Sequence, residues 1–453
     1  MARPGSGLAP GEPLGGGLDR RELAGAWSAL AAYRDQMVAE RASRAAAGAA
    51  ALVSAVVQVV AAEPDMTVED ELCARMGAQL REWAQEPIDT RVGPGPLAEA
   101  TIAAAAAAVA AALPALAEQA GQTAPAEQVL AEQAGQAAPV GQPDQAQAWR
   151  APWRVLAAVA GIVPHPYRES AAEVIAQLRE APGGRVLPAA PPGPAVTGPV
   201  LWTRDAYGSR FAVAAPITTG GQPVRWYLWD IDACGHQAFT VYSGFYPSSE
   251  DALAAWQAGV GQVAAGGTVL TPADDPRLLA ELMYAEEGIP RADEASDNHF
   301  AESHRSMRLG QEVTATLPRA ASRGDAGLKA ADAAVEFATW LRKGQTDQQE
   351  LPADLDEIAT ELAESWCINN IDAVYAACSP HRVALDVLHI RDYYLDDFAD
   401  QLLALLPAWT TWLAQRNATP PQLAERCQPY AHGKPHPQLG DEHRPRYLAR
   451  VME

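Results

Sequence analysis

The sequence predicts an α+β protein that is predominantly α. Helical N- and C-terminal domains are expected to flank a small antiparallel sheet module with one packed helix. Three observations carry this expectation. Apolar residues recur at three- and four-residue spacing towards both ends of the chain, which is the period of a helix face. Eleven of the thirty aromatic residues fall between Trp202 and Trp256, in short runs separated by turn residues. Pro/Gly/Gln-rich stretches divide these regions, and 453 residues are enough for several domains with cores of their own.

Residues 1–18 are Gly/Pro-rich and lack the apolar core of a signal peptide, so they predict a disordered leader. Residues 19–116 predict an Ala-rich helical bundle. Asp19 and Glu22 suit a capping pair, and Leu23, Trp27, Leu30, Tyr33 and Met37 form an apolar stripe expected in the core. A second helix is expected from Thr67, with stripe Leu72, Met76, Leu80 and Trp83 and a stop at Pro87. Two uncharged stretches, 45–62 and 100–117, have 18 residues each, near the lower limit for a membrane span. Alanine contributes little transfer energy, so two closely packed bundle helices are expected. A membrane hairpin is the alternative, and Arg41 and Arg44 would then keep the N-terminus inside.

Residues 117–147 predict a low-complexity linker. LAEQAGQTAPAEQV is followed by LAEQAGQAAPVGQP, identical at ten of fourteen positions. Residues 148–181 return to helix, with Ser170 and Glu173 as a capping box. A Pro/Gly spacer follows at 182–199. The aromatic-rich α+β module is expected over 200–290, with strands at 200–203, 210–214, 224–230 and 239–245. Ser248 then caps a helix whose face is Leu253, Trp256 and Val260, and a short helix is expected at 276–287. Residues 291–325 predict a polar loop region. Residues 326–453 predict a helical C-terminal domain. There, Ser379–Pro380 opens one helix, and the box from Thr419 to Gln422 opens another.

The composition excludes several chemistries. A formal net charge of −22 opposes a general binder of the phosphate backbone. Only three lysines occur, and none stands in a Gly-Lys-Ser/Thr step, so no phosphate-binding loop of that kind is present. No GxSxG nucleophile elbow occurs. Gly259, Gly261 and Gly266 approach a dinucleotide fingerprint, but the third glycine is one position late and the run follows a helix. Five cysteines without a CxxC fit a reducing, cytoplasmic setting. No cofactor is expected.

Three clusters could still carry chemistry. Asp230, Asp232 and His236 crowd one strand end, and alternation turns Asp230, Asp232 and Cys234 to one side. The two carboxylates could bind a hard cation or share a proton, or act as turn formers beside Cys234 as a small core residue. Glu302 and His304, near Asp293, Glu294, Asp297 and His299, form a second cluster without an HExxH pattern. Cys427, His432, His436 and His443 are legitimate zinc ligands in a proline-broken tail, and are weak metal candidates. Trp226, Tyr227, Trp229, Tyr242 and Tyr246 read first as a packed core. Second, Trp226, Trp229, Tyr242 and Tyr246 could line a partner surface with Asp230, Asp232 and His236. His165, His381 and His389 read as ordinary singletons.

The phrases TRDAYGSRFAV, RWYLWDIDACGH and SGFYPSSEDALAAWQAGVG, and the final SPHRVALDVLHIRDYYLDDF…LLPAWTTWL, resemble proteins of unassigned activity from high-GC, Streptomyces-like actinobacteria. So does the Ala/Arg bias. The resemblance spans about a third of the chain, about 200–260 and 379–449. It implies source and a cytoplasmic setting and carries no functional residue with it. The leading expectation is therefore a protein-interaction or regulatory protein with a protein partner, and with no membrane or direct nucleic-acid contact. One alternative is a metal-dependent enzyme using Asp230, Asp232 and His236, or Glu302 and His304. Another is an acidic accessory subunit of a DNA-processing complex.

Overall fold

A computed structural model describes residues 20–62, 67–87, 90–122, 148–220, 222–235, 238–283, 296–317, 328–344, 351–366 and 371–437. The protein is predominantly helical with one small antiparallel sheet, as the sequence predicts.

The N-terminal helices are α1 (Arg20–Ala62), α2 (Val68–Ala84), α3 (Pro94–Gln122), α4 (Arg150–Ile162) and α5 (Tyr167–Glu180). Their shared core takes Ala49, Val53 and Val56 from α1, Leu72 and Met76 from α2, and Ile102 and Val109 from α3. Small alanines let α1 and α3 approach closely. Both are long and apolar enough to cross a membrane by length and composition, a test that core helices of soluble proteins also pass. Here one face of each packs into this core.

The first turns of α1 depart from expectation. Trp27 (68% exposed), Leu30 and Tyr33 face solvent, because α1 enters the core only further along, from Ala45. The linker boundary also shifts, since α3 runs to Gln122. The leader and most of the duplicated linker lie outside the described residues. α5 begins at Tyr167, which leaves Ser170 inside the helix and not at its cap.

The sheet contains β1 (Ala195–Val196), β2 (Leu201–Arg204), β3 (Arg210–Thr218), β4 (Arg225–Asp232), β5 (Phe239–Tyr246) and β6 (Thr271–Pro272). Its order is β5-β4-β3-β2-β6, with β1 paired to β3. The four predicted strands are β2 to β5, each within a few residues. β3 is buried on both faces, so it reads as a continuous apolar run, FAVAAPI. α6 (Ser249–Val260) covers one face through Ala252 and Trp256. Ser248 caps it by accepting the Asp251 N–H (3.1 Å). A short helix, α7 (Gln262–Ala265), follows Gly261, whose φ of 88° ends α6.

The opposite face is covered by α8 (Pro276–Met283) and α9 (Asp297–Thr316), with Leu279, Leu309 and Val313 packed on Tyr227, Trp229 and Phe211. α9 overturns the expected polar loop at 291–325. Ser296 caps it by accepting the His299 N–H (3.2 Å). Its buried face carries Glu302, His304, Arg305 and Arg308 between Phe300 and Leu309, so polar residues fill positions that an apolar period would mark. α9 also crosses α2 at very close range. A Cβ on Gly77 would lie 2.4 Å from Ala301 Cα.

The C-terminal helices are α10 (Ala330–Gly344), α11 (Leu355–Ser365), α12 (Pro380–Tyr393), α13 (Asp396–Arg416) and α14 (Pro421–Ala431). They share a core built on Phe337, Trp366, Trp409 and Trp412. Ser379 caps α12, as expected. Thr419 does not cap α14, whose cap position is Pro420 and makes no side-chain hydrogen bond.

Candidate metal centre

β4 ends on Asp232, and the chain turns at Ala233–Cys234. The Ala233 N–H donates to the Ser209 carbonyl (2.9 Å), which continues the ladder one step. The Cys234 N–H donates to Asp232 Oδ1 (2.7 Å), fixing the carboxylate against its own turn. Across from this turn stands the first turn of α12. His381 Nδ1–H donates to Asp232 Oδ2 (3.0 Å). Cys234 Sγ lies 3.2 Å from Ser379 Oγ, the α12 cap. One ligand atom each from Asp232, Cys234 and His381 lies within 4.8 Å of the other two. The Asp232–His381 contact joins residues 149 positions apart.

The electrostatics follow from this geometry. Burial opposes ionisation of Asp232, but the hydrogen bonds from His381 and Cys234 outweigh it and hold the carboxyl below its ordinary range. Burial, with the Asp232 charge beside it, pushes the Cys234 thiol far up, so without a cation it is a neutral S–H. The His436 ring centroid lies 5.3 Å from that of His381. Burial and then His381 hold the His436 imidazole neutral to lower pH. Asp232, Cys234 and His381 therefore offer one carboxylate oxygen, one thiol sulfur and one imidazole at the sheet–helix joint, with the His436 ring packed beside that of His381. Asp232 and His381 stay partly exposed there (side chains 15% and 25%).

The residues singled out in the sequence divide accordingly. Asp232 and His436 come from two clusters that lie far apart in the chain. Asp230 belongs elsewhere, forked by Arg210 Nε and Nη2 at 2.7 Å each. His236 and His443 lie outside the described residues. Cys427 is buried in the C-terminal core, 3.4 Å from the Cys378 carbonyl, and His432 is exposed. Glu302 and His304 do not converge on a cation. Glu302 binds Arg305 and Tyr227, and His304 Nε2–H donates to the Pro94 carbonyl (2.9 Å). Trp229 is interior, its Nε1–H donating to the Ser306 carbonyl, so it cannot line an open partner surface. Trp226 and Tyr246 are half-buried opposite each other on β4 and β5, and Tyr242 is 40% exposed.

Sequence reasoning passed over Cys234 as a core residue and His381 as a singleton. The one usable signal was the Asp-x-Cys alternation at the strand end. Nothing local ties it to Ser379 and His381. No family model matches the chain, and neither do curated proteins or solved structures.

Proposed function

We propose that this is a metal-responsive regulatory protein that binds one zinc ion between the end of β4 and the first turn of α12. The observation that supports this reading is the convergence of Asp232, Cys234 and His381 within 4.8 Å. A zinc ion needs ligand atoms about 2.0–2.3 Å away in a tetrahedral set, so small rotations of these side chains bring them into place. Mixed sulfur, nitrogen and oxygen donors favour zinc over magnesium or calcium, which prefer oxygen alone. The bound cation converts the Cys234 thiol to thiolate, and with Asp232 the charge of the centre closes to neutral. The Asp232 carboxylate is already held by the Cys234 N–H, which orients it as an outer hydrogen bond orients a ligand. The fourth position falls to water, to a partner's side chain or to His436, whose ring lies 5.3 Å from that of His381.

The regulatory element of the reading comes from where the ligands sit. Two belong to the sheet module and one to the C-terminal helices, so the ion sets how firmly the two hold together. The test is zinc titration of chelator-treated protein, followed by elemental analysis after gel filtration. One zinc per chain is expected, with cobalt giving thiolate-to-metal absorption. Cys234→Ser and His381→Ala each lose that stoichiometry, while Cys73→Ser keeps it. Hydrogen exchange of α12 slows on zinc addition. Protein that retains no zinc, or a Cys234→Ser/His381→Ala double variant that still retains one, defeats the reading.

A further inference from the structure

Comparing three arginines that pack against carboxylates, the part-buried Arg210 and the buried Arg305 and Arg308, locates a second site, independent of the zinc reading. Arg210 offers its Nε/Nη2 edge to Asp230. Arg305 offers the same edge to Glu302, with Nε to Oε2 at 2.7 Å and Nη2 to Oε1. That edge is the planar fork that matches a carboxylate. Arg308, one turn along α9 from Arg305, is used differently. Its Nη1 binds Glu312, and Glu312 Oε1 is shared with Arg168 Nη1 (2.9 Å). Its Nε is buried without a hydrogen-bond partner among the described residues, and its side chain is only 7% exposed. A buried, unsatisfied guanidinium donor has lost its hydration without a hydrogen bond in return.

Arg308 lines a cavity of about 490 Å³ between α4, α5, α9 and the sheet, roofed by the segment 190–194. That volume suits a small molecule. Ile162, Ile175, Phe245 and Leu309 give the cavity an apolar wall. The roof comes close to the guanidinium at one point, since a Cβ on Gly193 would lie 3.4 Å from Arg308 Nη2. Glu169 and Glu312 pair with Arg168 and Arg308, Glu302 and Asp70 hold Arg305, and Glu69 lines the wall together with Arg179, so the wall carries little excess charge. That balance disfavours a polyanion such as a nucleotide and suits a ligand with one negative charge.

From these observations we infer that the cavity binds a small amphipathic carboxylic acid, its alkyl body along Ile162, Ile175 and Leu309 and its carboxylate on Arg308 Nη2, with a turn of the guanidinium bringing Nε in to complete the fork. The ligand supplies to Arg308 what Asp230 and Glu302 supply to the other two arginines.

Isothermal titration of the full chain with a matched set tests this: decanoate, decanol, decyl phosphate and acetate. Decanoate is expected to bind, with decanol and acetate at least tenfold weaker because one lacks the anion and the other the body. Decyl phosphate is also expected to be weaker, since its second charge has no counterpart. Arg308→Lys keeps a positive charge but removes the fork, and should weaken decanoate at least tenfold. Gly193→Val places a side chain in the roof beside Nη2, and should weaken decanoate similarly. It keeps the test decisive if the Arg308 variant folds poorly. Decanol binding as tightly as decanoate, no binding by any member, or decanoate affinity unchanged in both variants would each overturn the assignment. Preference for decyl phosphate would overturn the carboxylate in favour of a phosphate monoester.

Discussion

Helices α9 and α12 both bring buried charge to the sheet module, and they neutralise it in opposite ways. On α9, Arg305 is gripped by Glu302 from its own helix and by Asp70 from α2, and Glu302 also accepts the Tyr227 hydroxyl (2.8 Å). Each charge faces its opposite. On α12, Arg382 and Asp386 do not bind each other. Arg382 donates to the Val374 and Trp366 carbonyls and lies 4.9 Å over the Trp366 ring. Asp386 accepts only from Ser365 (2.7 Å), and its Oδ2 has no partner among the described residues. Burial pulls Arg382 down and pushes Asp386 up to about 7. On α9 each charge is answered by a direct partner, whereas on α12 burial moves the Asp386 carboxyl towards its neutral form. α9 is thus a fixed joint between the N-terminal helices and the sheet. α12, whose first turn carries Ser379 and His381, is the joint that solution conditions can alter.

The largest effect should come from breaking the fixed joint. Arg305→Leu leaves Glu302 buried beside Tyr227 without its cation, and should cost about 3–5 kcal/mol in urea unfolding. Removing both charges, as Arg305→Leu with Glu302→Leu, should recover most of that loss. Arg382→Leu frees two carbonyls and breaks no direct ion pair, so it should cost less, about 1–3 kcal/mol. If Arg382→Leu costs as much as Arg305→Leu, the contrast between the helices fails.

The same joint explains what the sequence hid. The caps Ser248 and Ser379 and the strands β2 to β5 are local features, with a side chain three residues from its N–H or an alternation of period two. They could be read directly. α9 could not, because Glu302, His304, Arg305 and Arg308 break the apolar period at the positions that face inwards. Burial of paired charge leaves no hydropathic trace. Helix α1 failed in the other direction. Trp27, Leu30 and Tyr33 keep a helical spacing, yet no described element covers them. The candidate metal centre was half legible. Asp232 and His436 drew notice in separate clusters, but their meeting depends on how β4 and α12 pack, which no local pattern encodes.

Close packing gives the next effect in size. Gly77→Ala forces a methyl onto the Ala301 backbone, and α2 and α9 must separate, at about 1–3 kcal/mol. Gly161→Ala is the matched control within α4, where the nearest atom is Glu69 Oε1 at 3.5 Å. It should be neutral or gain up to about 1 kcal/mol from helix propensity. Equal losses at the two glycines would show that the α2–α9 contact is not the tight one. On the responsive joint, Ser379→Ala removes the α12 cap and should cost about 1 kcal/mol. Ser248→Ala on exposed α6 should cost a similar amount, since each replaces a hydroxyl that accepts one backbone N–H.

The smallest change sharpens the comparison most, because it reads a slope. Asp386 titrates at an ordinary 3.8 when unfolded and at about 7 when folded. Between those values the folded chain holds a proton that the unfolded chain has released. Folding therefore takes up a proton, and stability falls as pH rises through this window. The contribution is complete below about pH 4 and gone above about pH 7. Asp386→Asn keeps the shape and the contact to Ser365 without the titration. Thermal unfolding of the variant should run parallel to the parent below about pH 4 and rise relative to it towards pH 8. A parent–variant difference at Asp386 that stays flat with pH would show that folding does not raise its carboxyl, and α12 would no longer be the joint that pH can alter.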